Sequence, residues 1–357
     1  MKYDTILVID NLVNGGAENV LVTYANTLSR AGLRVGVLVI CSSHENMACK
    51  LDDDVNLITF GNTNVRFSFI KTIFFLRGIK TNNIIAFNHQ VALLIYICSF
   101  FSFSDFTIGA RCINVMSRDI NSDKRLLARF IYKPLYLKIY RKFDFYIAQC
   151  SAMKEDLVSY LNIDEAKIHV IYNPVQESYI SLDDKSVTNV FEREKKVALF
   201  VGRFCYQKGI DELVEVVRKT IAKDPSYYFI LIGEGAEKYK LEKLKSEYPT
   251  NLILPKKRVD LSLYYKQVSV VILTSRYEGF PNVLNEALTC SCPVIAFDCP
   301  TGPSEIIKDG FNGYLLDERD TTKFTDKIFL IQSLSDNIRP VALFNKHSLC
   351  EIVSRYK

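Results

Sequence analysis

The chain has 357 residues, 48% of them hydrophobic and 24% charged. That length suits two domains better than one, and the composition excludes a disordered chain. The formal charge of +5 is a mild excess, which argues against a nucleic-acid partner and leaves room for a local basic patch.

Read from the N-terminus, the chain runs straight into Thr5–Asp10, an expected first strand, with no signal peptide. Further strands are expected at Val35–Cys41, Val55–Phe60, Asn83–Asn88, Phe106–Ala110, Asp144–Gln149 and Ile168–Ile171. Helical patterns lie between most of them, at Ala17–Ala31, Phe67–Lys80, Val91–Phe101, Asp123–Lys142 and Ala152–Leu161. Strand–helix alternation with near-continuous apolar strands predicts a parallel sheet covered on both faces. Val91–Phe101 is the most apolar stretch; it is shorter than the roughly 20 residues a membrane span needs and reads as a buried helix.

Asn173 to Lys196 breaks the rhythm with Pro174 and a polar run, and reads as a linker between an N-terminal domain (1–172) and a second domain (197–335). The alternation restarts there, with strands at Val197–Val201, Tyr227–Ile232, Asn251–Leu254, Ser269–Thr274, Pro293–Phe297 and Gly313–Leu316. Helices are expected at Ile210–Lys223, Glu237–Glu247, Leu261–Gln267, Asn282–Thr289, Ser304–Lys308 and Thr321–Leu334, and from Asp336 to the end (336–357), a last helix able to pack back on the first domain. Ligands bind open parallel sheets outside the carboxyl ends of their strands, so two such sheets facing each other predict a shared cleft.

The ten cysteines (Cys41, Cys49, Cys98, Cys112, Cys150, Cys205, Cys290, Cys292, Cys299 and Cys350) include no CxxC pair. Cys290, Cys292 and Cys299 lie close together but have no histidine at zinc-finger spacing, so reduced thiols of a cytosolic protein are expected, and no metal site.

Three loops carry the chemistry. After the first strand comes Asn11-Leu-Val-Asn-Gly-Gly-Ala-Glu18, where Gly15 and Gly16 allow a tight turn into a helix whose free N–H groups suit a phosphate or sugar oxygen. The second domain opens with Val201-Gly202-Arg203-Phe204 and then Gln207-Lys208-Gly209. Arg203 and Lys208, on a strand–helix loop, suit a diphosphate leaving group without a metal, Arg by bidentate clamping and Lys as a movable charge. Glu278-Gly279-Phe280-Pro281-Asn282-Val-Leu-Asn-Glu286 places one carboxylate on a loop and another inside a helix, able to hold different hydroxyls of one ligand.

With these motifs assembled, the chain resembles the retaining GT-B glycosyltransferases of family 4, and within them the bacterial group that builds capsule, O-antigen and other surface glycans. The likeness rests on Gly15–Glu18, Asn173-Pro174, Val201-Gly-Arg203 with Lys208-Gly209, Glu278 to Glu286, Asp298-Cys-Pro-Thr-Gly-Pro-Ser-Glu-Ile306 and Gly310-Phe-Asn-Gly313. It implies two Rossmann-like domains, the first for the acceptor and the second for a nucleotide-sugar donor, a UDP-sugar. It also implies that Arg203 and Lys208 stabilise the donor diphosphate and that Glu286 holds the ribose. Glu278, with Gly279 and Phe280, would orient the transferred sugar. Gly202 and Asn282 complete the donor loops, and Gly15 and Gly16 would approach the donor phosphate. No cofactor is implied: the leaving phosphate oxygen takes the acceptor proton, and catalysis is positioning plus charge stabilisation.

Other positions depart from the family pattern. His89, after the strand Asn83–Asn88 and at a sheet edge, sits in Asn88-His-Gln90 and is a candidate sugar contact. Ser291 stands where relatives often carry glycine, and Leu254-Pro-Lys-Lys-Arg258 leaves the choice of nucleobase open.

From Arg111 to Lys142 there are nine cations and only two acids, interleaved with apolar and aromatic residues. Arg118, Lys124, Arg125, Arg129 and Lys133 therefore form an expected patch for an anionic membrane face or a lipid-linked pyrophosphate, and the aromatic run Phe67–Leu76 favours a peripheral site on the cytoplasmic membrane surface. Rival readings are a GT-B sugar-nucleotide epimerase, a transferase with a soluble acceptor, and a catalytically silent sugar- or lipid-binding protein.

Overall fold

The computed structural model describes residues 2–13, 15–41, 48–62, 68–103, 105–113, 115–117, 133–176, 179, 196–255, 260–334, 338–340 and 343–356, with the backbone only for 62 and 133–136. The chain divides into two compact units, Met1–Pro174 with Phe344–Lys357, and Val175–Leu343. Of the expected linker 173–196, residues 177–178 and 180–195 lie outside the described residues, and Lys196 already opens a strand.

Unit 1 is a seven-stranded parallel sheet in the order β3-β2-β1-β4-β5-β6-β7. Its strands are β1 (Lys2–Ile9), β2 (Val35–Cys41), β3 (Asn56–Asn62), β4 (Lys80–Ala86), β5 (Thr107–Arg111), β6 (Phe145–Ala148) and β7 (Ile168–Val170). The helices are α1 (Gly16–Arg30), α2 (Phe69–Gly78), α3 (His89–Ser102), α4 (Lys133–Tyr140) and α5 (Ser151–Leu161). Unit 2 is a six-stranded parallel sheet in the order β10-β9-β8-β11-β12-β13. Its strands are β8 (Lys196–Val201), β9 (Tyr227–Ile232), β10 (Leu252–Ile253), β11 (Val270–Leu273), β12 (Val294–Phe297) and β13 (Gly313–Leu316). Its helices are α6 (Ile210–Lys223), α7 (Lys238–Glu247), α8 (Leu261–Tyr265), α9 (Asn282–Thr289), α10 (Pro303–Ile306) and α11 (Thr321–Leu330); α12 (Lys346–Arg355) closes the chain within unit 1.

The strands form because their apolar runs are buried on both faces, as in β2, where Val35 to Ile40 are all buried. The helices form because their apolar residues recur at helical spacing: α6 buries Ile210, Leu213, Val216, Val217, Thr220 and Ile221, with Asp211 and Glu212 in its first turn and Lys223 in its last. Asp320 and Asn345 cap α11 and α12 by accepting backbone N–H bonds.

Several sequence expectations need correcting. Val91–Phe101 is not a wholly buried helix: α3 buries Val91, Ala92, Ile95 and Cys98 but leaves Phe100 and Phe101 exposed. The last segment is not helical from Asp336, since residues 338–340 and 343–345 are irregular and α12 begins only at Lys346, after its Asn345 cap. The strand expected at Asn83–Asn88 begins earlier, at Lys80, and ends at Ala86. Because β4 is central, between β1 and β5, His89 stands at a strand's carboxyl end rather than at the side edge of the sheet. Of the helix expected at Asp123–Lys142, residues 133–142 are described: α4 covers Lys133–Tyr140, and Arg141 and Lys142 turn out of it.

The C-terminal helix is tied to unit 1 by a buried amide. The Asn83 side chain, fully buried in β4, donates to the carbonyls of Val353 (3.1 Å) and Tyr356 (3.2 Å) and accepts from the Thr5 hydroxyl (2.5 Å). Tyr356 stacks on Phe145 at 4.1 Å, and Leu349, Ile352 and Val353 join the unit 1 core. Asn83→Ala is expected to cost about 2–4 kcal/mol, because it strips three hydrogen bonds and leaves buried groups unsatisfied. Urea denaturation reads this as a lower midpoint for unit 1; an unchanged midpoint would show that water replaces the amide.

Candidate functional site in the second unit

In an open parallel sheet the ligand crevice lies where the chain reverses its direction of winding. In unit 2 the chain leaves β8 for β9 and β10 on one side, then crosses to β11 on the other, so the crevice lies beyond the carboxyl ends of β8 and β11. The Gly202–Lys208 loop follows β8 and the Thr274–Glu278 loop follows β11. Two loops separated by some 70 residues of sequence thus meet at one place, and between them they hold Gly202, Arg203, Lys208 and Glu278 of the expected donor residues.

The meeting is an ion pair. Lys208 Nζ donates to Glu278 Oε1 at 2.5 Å, with the two side chains only 13% and 7% exposed. The Ser275 hydroxyl donates to the same carboxylate oxygen, and the Thr301 hydroxyl donates to the Glu278 backbone carbonyl. Gly202 makes room for this arrangement, since a Cβ there would come 3.3 Å from the Lys208 side chain. Gly209 has φ +64°, and a Cβ on it would lie 2.1 Å from the Thr274 carbonyl oxygen, so glycine is required at the point where the two loops touch. The Thr274 hydroxyl in turn donates to the Lys208 carbonyl at 2.9 Å.

Arg203 is exposed, and its Nη2 donates to Gln207 Oε1 at 2.9 Å; the Gln207 amide continues to the Tyr277 carbonyl at 3.1 Å. Beneath the loops, Glu212 on α6 accepts from Arg276 (2.9 and 3.0 Å) and from Arg319 (2.7 and 3.1 Å). Arg319 also donates to the carbonyls of Thr274 and Ser275 at 2.8 Å. These bonds brace the β11 loop from below and hold the Glu212 carboxyl below its ordinary range despite burial.

Glu286 lies within α9, half-buried, and accepts a hydrogen bond from the Tyr265 hydroxyl at 3.0 Å. Burial pushes its carboxyl up to about 7, and the tyrosine bond offsets only part of that. Tyr265 is raised well above its usual range by its own burial and by the neighbouring carboxylate, and packs against Tyr179 at 5.8 Å. Asn282 is the first residue of α9, whose cap is Pro281; Gly279 and buried Phe280 precede it. Gly302, at φ +95°, lets the next loop pass under Pro281, where a Cβ would meet the proline ring at 2.5 Å.

Unit 1 repeats the logic, with its crevice beyond the carboxyl ends of β1 and β4. Asn88 Nδ2 donates to Asp10 Oδ1 at 3.0 Å, while Asn88 Oδ1 caps α3 by accepting from Val91 N. His89 is the first residue of that helix. Gly15 and Gly16 begin α1, but Gly15 has φ −143°, a backbone any residue adopts. A Cβ there would sit 2.5 Å from Glu18 Oε2, so a larger residue would displace the end of that side chain, whose carboxyl burial raises. Asn173 of the Asn-Pro motif accepts from the wholly buried Arg111 at 2.6 Å and donates to Gln149 at 2.9 Å. Arg118, Lys124, Arg125, Arg129 and the Lys133 side chain lie outside the described residues.

Sequence reasoning missed the supports: Gln207, Ser275, Thr301, Tyr265, Arg276 and Arg319. Their polar types in loops gave a weak signal, but nothing local tied them to particular partners.

With this geometry in hand, the comparisons with known proteins are informative. Residues 14–179 match the family model for Glycosyltransferase Family 4, and residues 183–341 match that for Glycosyl transferases group 1. The chain is 40% identical over 144 residues to the amylovoran biosynthesis glycosyltransferase AmsD of Erwinia amylovora, covering 39% of each chain. It is 32% identical over 168 residues to a poly(ribitol-phosphate) alpha-N-acetylglucosaminyltransferase of Staphylococcus aureus, covering 46% of this chain and 33% of that one. The alignments thus span under half the length of these curated relatives. Among solved structures, Anabaena Alr3699/HepE in complex with UDP and glucose aligns with a TM-score of 0.79 at 16% identity, over 99% of this chain and 98% of that one. The chain thus has the GT-B fold of this solved neighbour, with the Family 4 match on its first half and the group 1 match on its second.

Proposed function

We propose that the chain moves a hexose or N-acetylhexosamine from a nucleoside-diphosphate sugar, with UDP as the nucleotide, to a glycan or polyprenyl-linked acceptor in surface polysaccharide synthesis, keeping the anomeric configuration. The single observation that carries this reading is the Lys208–Glu278 pair at the crevice between β8 and β11. A half-buried lysine and a buried carboxylate paired at this crevice are matched to the two halves of a sugar diphosphate: cation to phosphate, carboxylate to sugar hydroxyls. On this reading donor binding separates the pair. Lys208 turns to the diphosphate with Arg203, and Glu278, with the backbone of Gly279 and Phe280, orients the sugar. Glu286 receives the ribose hydroxyls, and Asn282 and Gly202 shape the loops around the nucleotide.

The bond from the anomeric carbon to the phosphate oxygen breaks as the bond to the acceptor hydroxyl forms. The acceptor proton passes to the departing phosphate oxygen, so no protein nucleophile and no cofactor are needed. Support for the UDP-sugar comes from the solved neighbour with UDP and glucose, and support for a surface-glycan role from the amylovoran and poly(ribitol-phosphate) relatives. Unit 1, with Gly15, Gly16 and His89 at its own crevice, takes the acceptor in this proposal.

Thermal-shift binding against nucleoside diphosphates and their sugars, with EDTA present, tests the assignment. UDP and its sugars are expected to raise the melting temperature of the wild type, and Arg203→Ala and Glu286→Ala to lose most of that rise. Variants that bind as well as wild type would remove the donor site from these loops. Donor consumption without any acceptor, yielding an epimerised nucleotide-sugar, would favour the epimerase instead.

A further inference from the structure

A charged side chain taken out of water needs a counter-charge as well as hydrogen-bond acceptors. Arg111, the last residue of β5, is 1% exposed. Its Nη2 donates to Asn173 Oδ1 at 2.6 Å, while Nε and Nη1 have no hydrogen-bond partner. The Tyr24 hydroxyl on α1 lies beside the guanidinium, is wholly buried, and has no partner either. Two guanidinium nitrogens and a phenol are thus left over in one buried place.

The charge is unmatched as well. Among the described residues no carboxylate pairs with Arg111. Burial works against its charge, and the neighbours that favour the charge are Tyr24 and Cys112. Neither is an anion at neutral pH, because burial raises the Tyr24 phenol and pushes the Cys112 thiol up to about 11. The Tyr24 and Phe87 ring centres lie 5.7 and 5.0 Å from the guanidinium carbon. Such cation–π contacts return less than the burial of an unpaired guanidinium costs. Arginine does not escape by giving up its proton, as a buried lysine does. Water accepts from the leftover N–H groups but carries no charge; an anion does both.

We propose that Arg111 and the Tyr24 hydroxyl hold a small monovalent anion, of the size of chloride, within unit 1 at the carboxyl end of β5. Enclosure between two aromatic rings favours a single weakly hydrated ion over a phosphate ester. The ion secures more than the arginine. Asn173 donates onward to Gln149 Oε1 at 2.9 Å, and Gln149 donates to the Cys112 carbonyl at 2.7 Å. One guanidinium therefore joins the ends of β5 and β6 to the Asn-Pro segment after β7, and neutralising it stabilises all three. The inference is independent of the donor assignment: it involves none of the loops of unit 2, and its test contains no nucleotide.

Urea denaturation of the full chain at constant ionic strength, exchanging sodium gluconate for chloride or bromide, reads the site. A saturable stabilisation by halide is expected, with the folding equilibrium shifted roughly 100-fold when the ion stands at about 100 times its Kd. Arg111→Met keeps the apolar stem without the charge and is expected to lose this halide dependence. Tyr24→Phe removes only the hydroxyl; it is expected to keep the halide effect with an affinity roughly tenfold weaker, and it serves as the test by itself if Arg111→Met does not fold. In bromide-soaked crystals the anomalous peak is expected beside Arg111 Nε or Nη1. Equal wild-type midpoints in gluconate and halide, a halide effect undiminished in Arg111→Met, an unchanged halide affinity in Tyr24→Phe, or only a water beside Arg111 in the bromide crystals would each overturn the proposal.

Discussion

Lys208→Ala is expected to slow sugar transfer by on the order of 10²–10³, the usual loss when one charge-stabilising donor is removed from a developing anion. The argument is electrostatic. The lysine ammonium is held by Glu278 at 2.5 Å, in surroundings that water scarcely reaches. A cation so placed gains far more from a departing diphosphate than an exposed one would. The same substitution leaves Glu278 buried without its counter-charge, which destabilises the fold by about 3–5 kcal/mol where no water enters. Stability and catalysis are therefore confounded in the single variant. The double variant Lys208→Ala, Glu278→Gln separates them, since the amide needs no cation: its melting temperature should recover most of the loss, while transfer stays slow. Steady-state turnover at saturating donor, with melting temperatures of all three proteins, reads both effects. Turnover near wild type in the single variant would take Lys208 out of the diphosphate site.

Glu286→Gln is expected to weaken nucleotide binding tenfold or more above neutral pH and at the same time to stabilise the unliganded protein. Burial raises the Glu286 carboxyl to about 7 in the folded chain, against 4.5 for the ordinary group. Between those two values the folded state holds a proton that the unfolded state has lost, so stability falls as pH rises through this window. Above it the ionised carboxylate costs up to about 3 kcal/mol, which glutamine does not. Only the ionised form accepts from both ribose hydroxyls, so affinity for UDP in the wild type should climb as pH passes about 7, the value the burial sets. In Glu286→Gln both slopes should flatten. Calorimetric titration with UDP and denaturant melts across this range measure the two trends; a wild-type affinity that ignores pH would separate Glu286 from the ribose. Tyr265 supplies the only offset among the causes of this shift, so the carboxyl of Tyr265→Phe should titrate higher still.

Much of this was legible in the sequence because it is local. Apolar runs such as Val35–Cys41 are strands whatever surrounds them, and the spacing of Ile210, Leu213, Val216 and Val217 makes α6 a helix with one buried face. The α/β architecture and the loops bearing Arg203, Lys208, Glu278 and Glu286 follow from that alternation. Local pattern misled where packing intervened. The apolar run Val91–Phe101 cannot say which of its residues find a partner, and α3 buries one side while presenting Phe100 and Phe101 to solvent. Gly15 reads as a turn glycine, yet its φ is ordinary, and the space beside it belongs to the Glu18 side chain.

The sequence by itself determined the secondary elements, the parallel sheets and the residue types in the strand–helix loops, because these depend on chain-local periodicity and on backbone chemistry. Only the tertiary structure decided that β8 and β11 are neighbours, and so that Lys208 and Glu278, 70 residues apart, form one buried pair. It alone placed Tyr265 on Glu286 and drew Asn83 onto the last helix. It alone left Phe100 and Phe101 of α3 exposed and brought the Phe101 ring to Phe69 of α2. The reason is common to all four: burial, pairing and exposure are properties of which elements pack together, and sequence spacing within one element does not encode them.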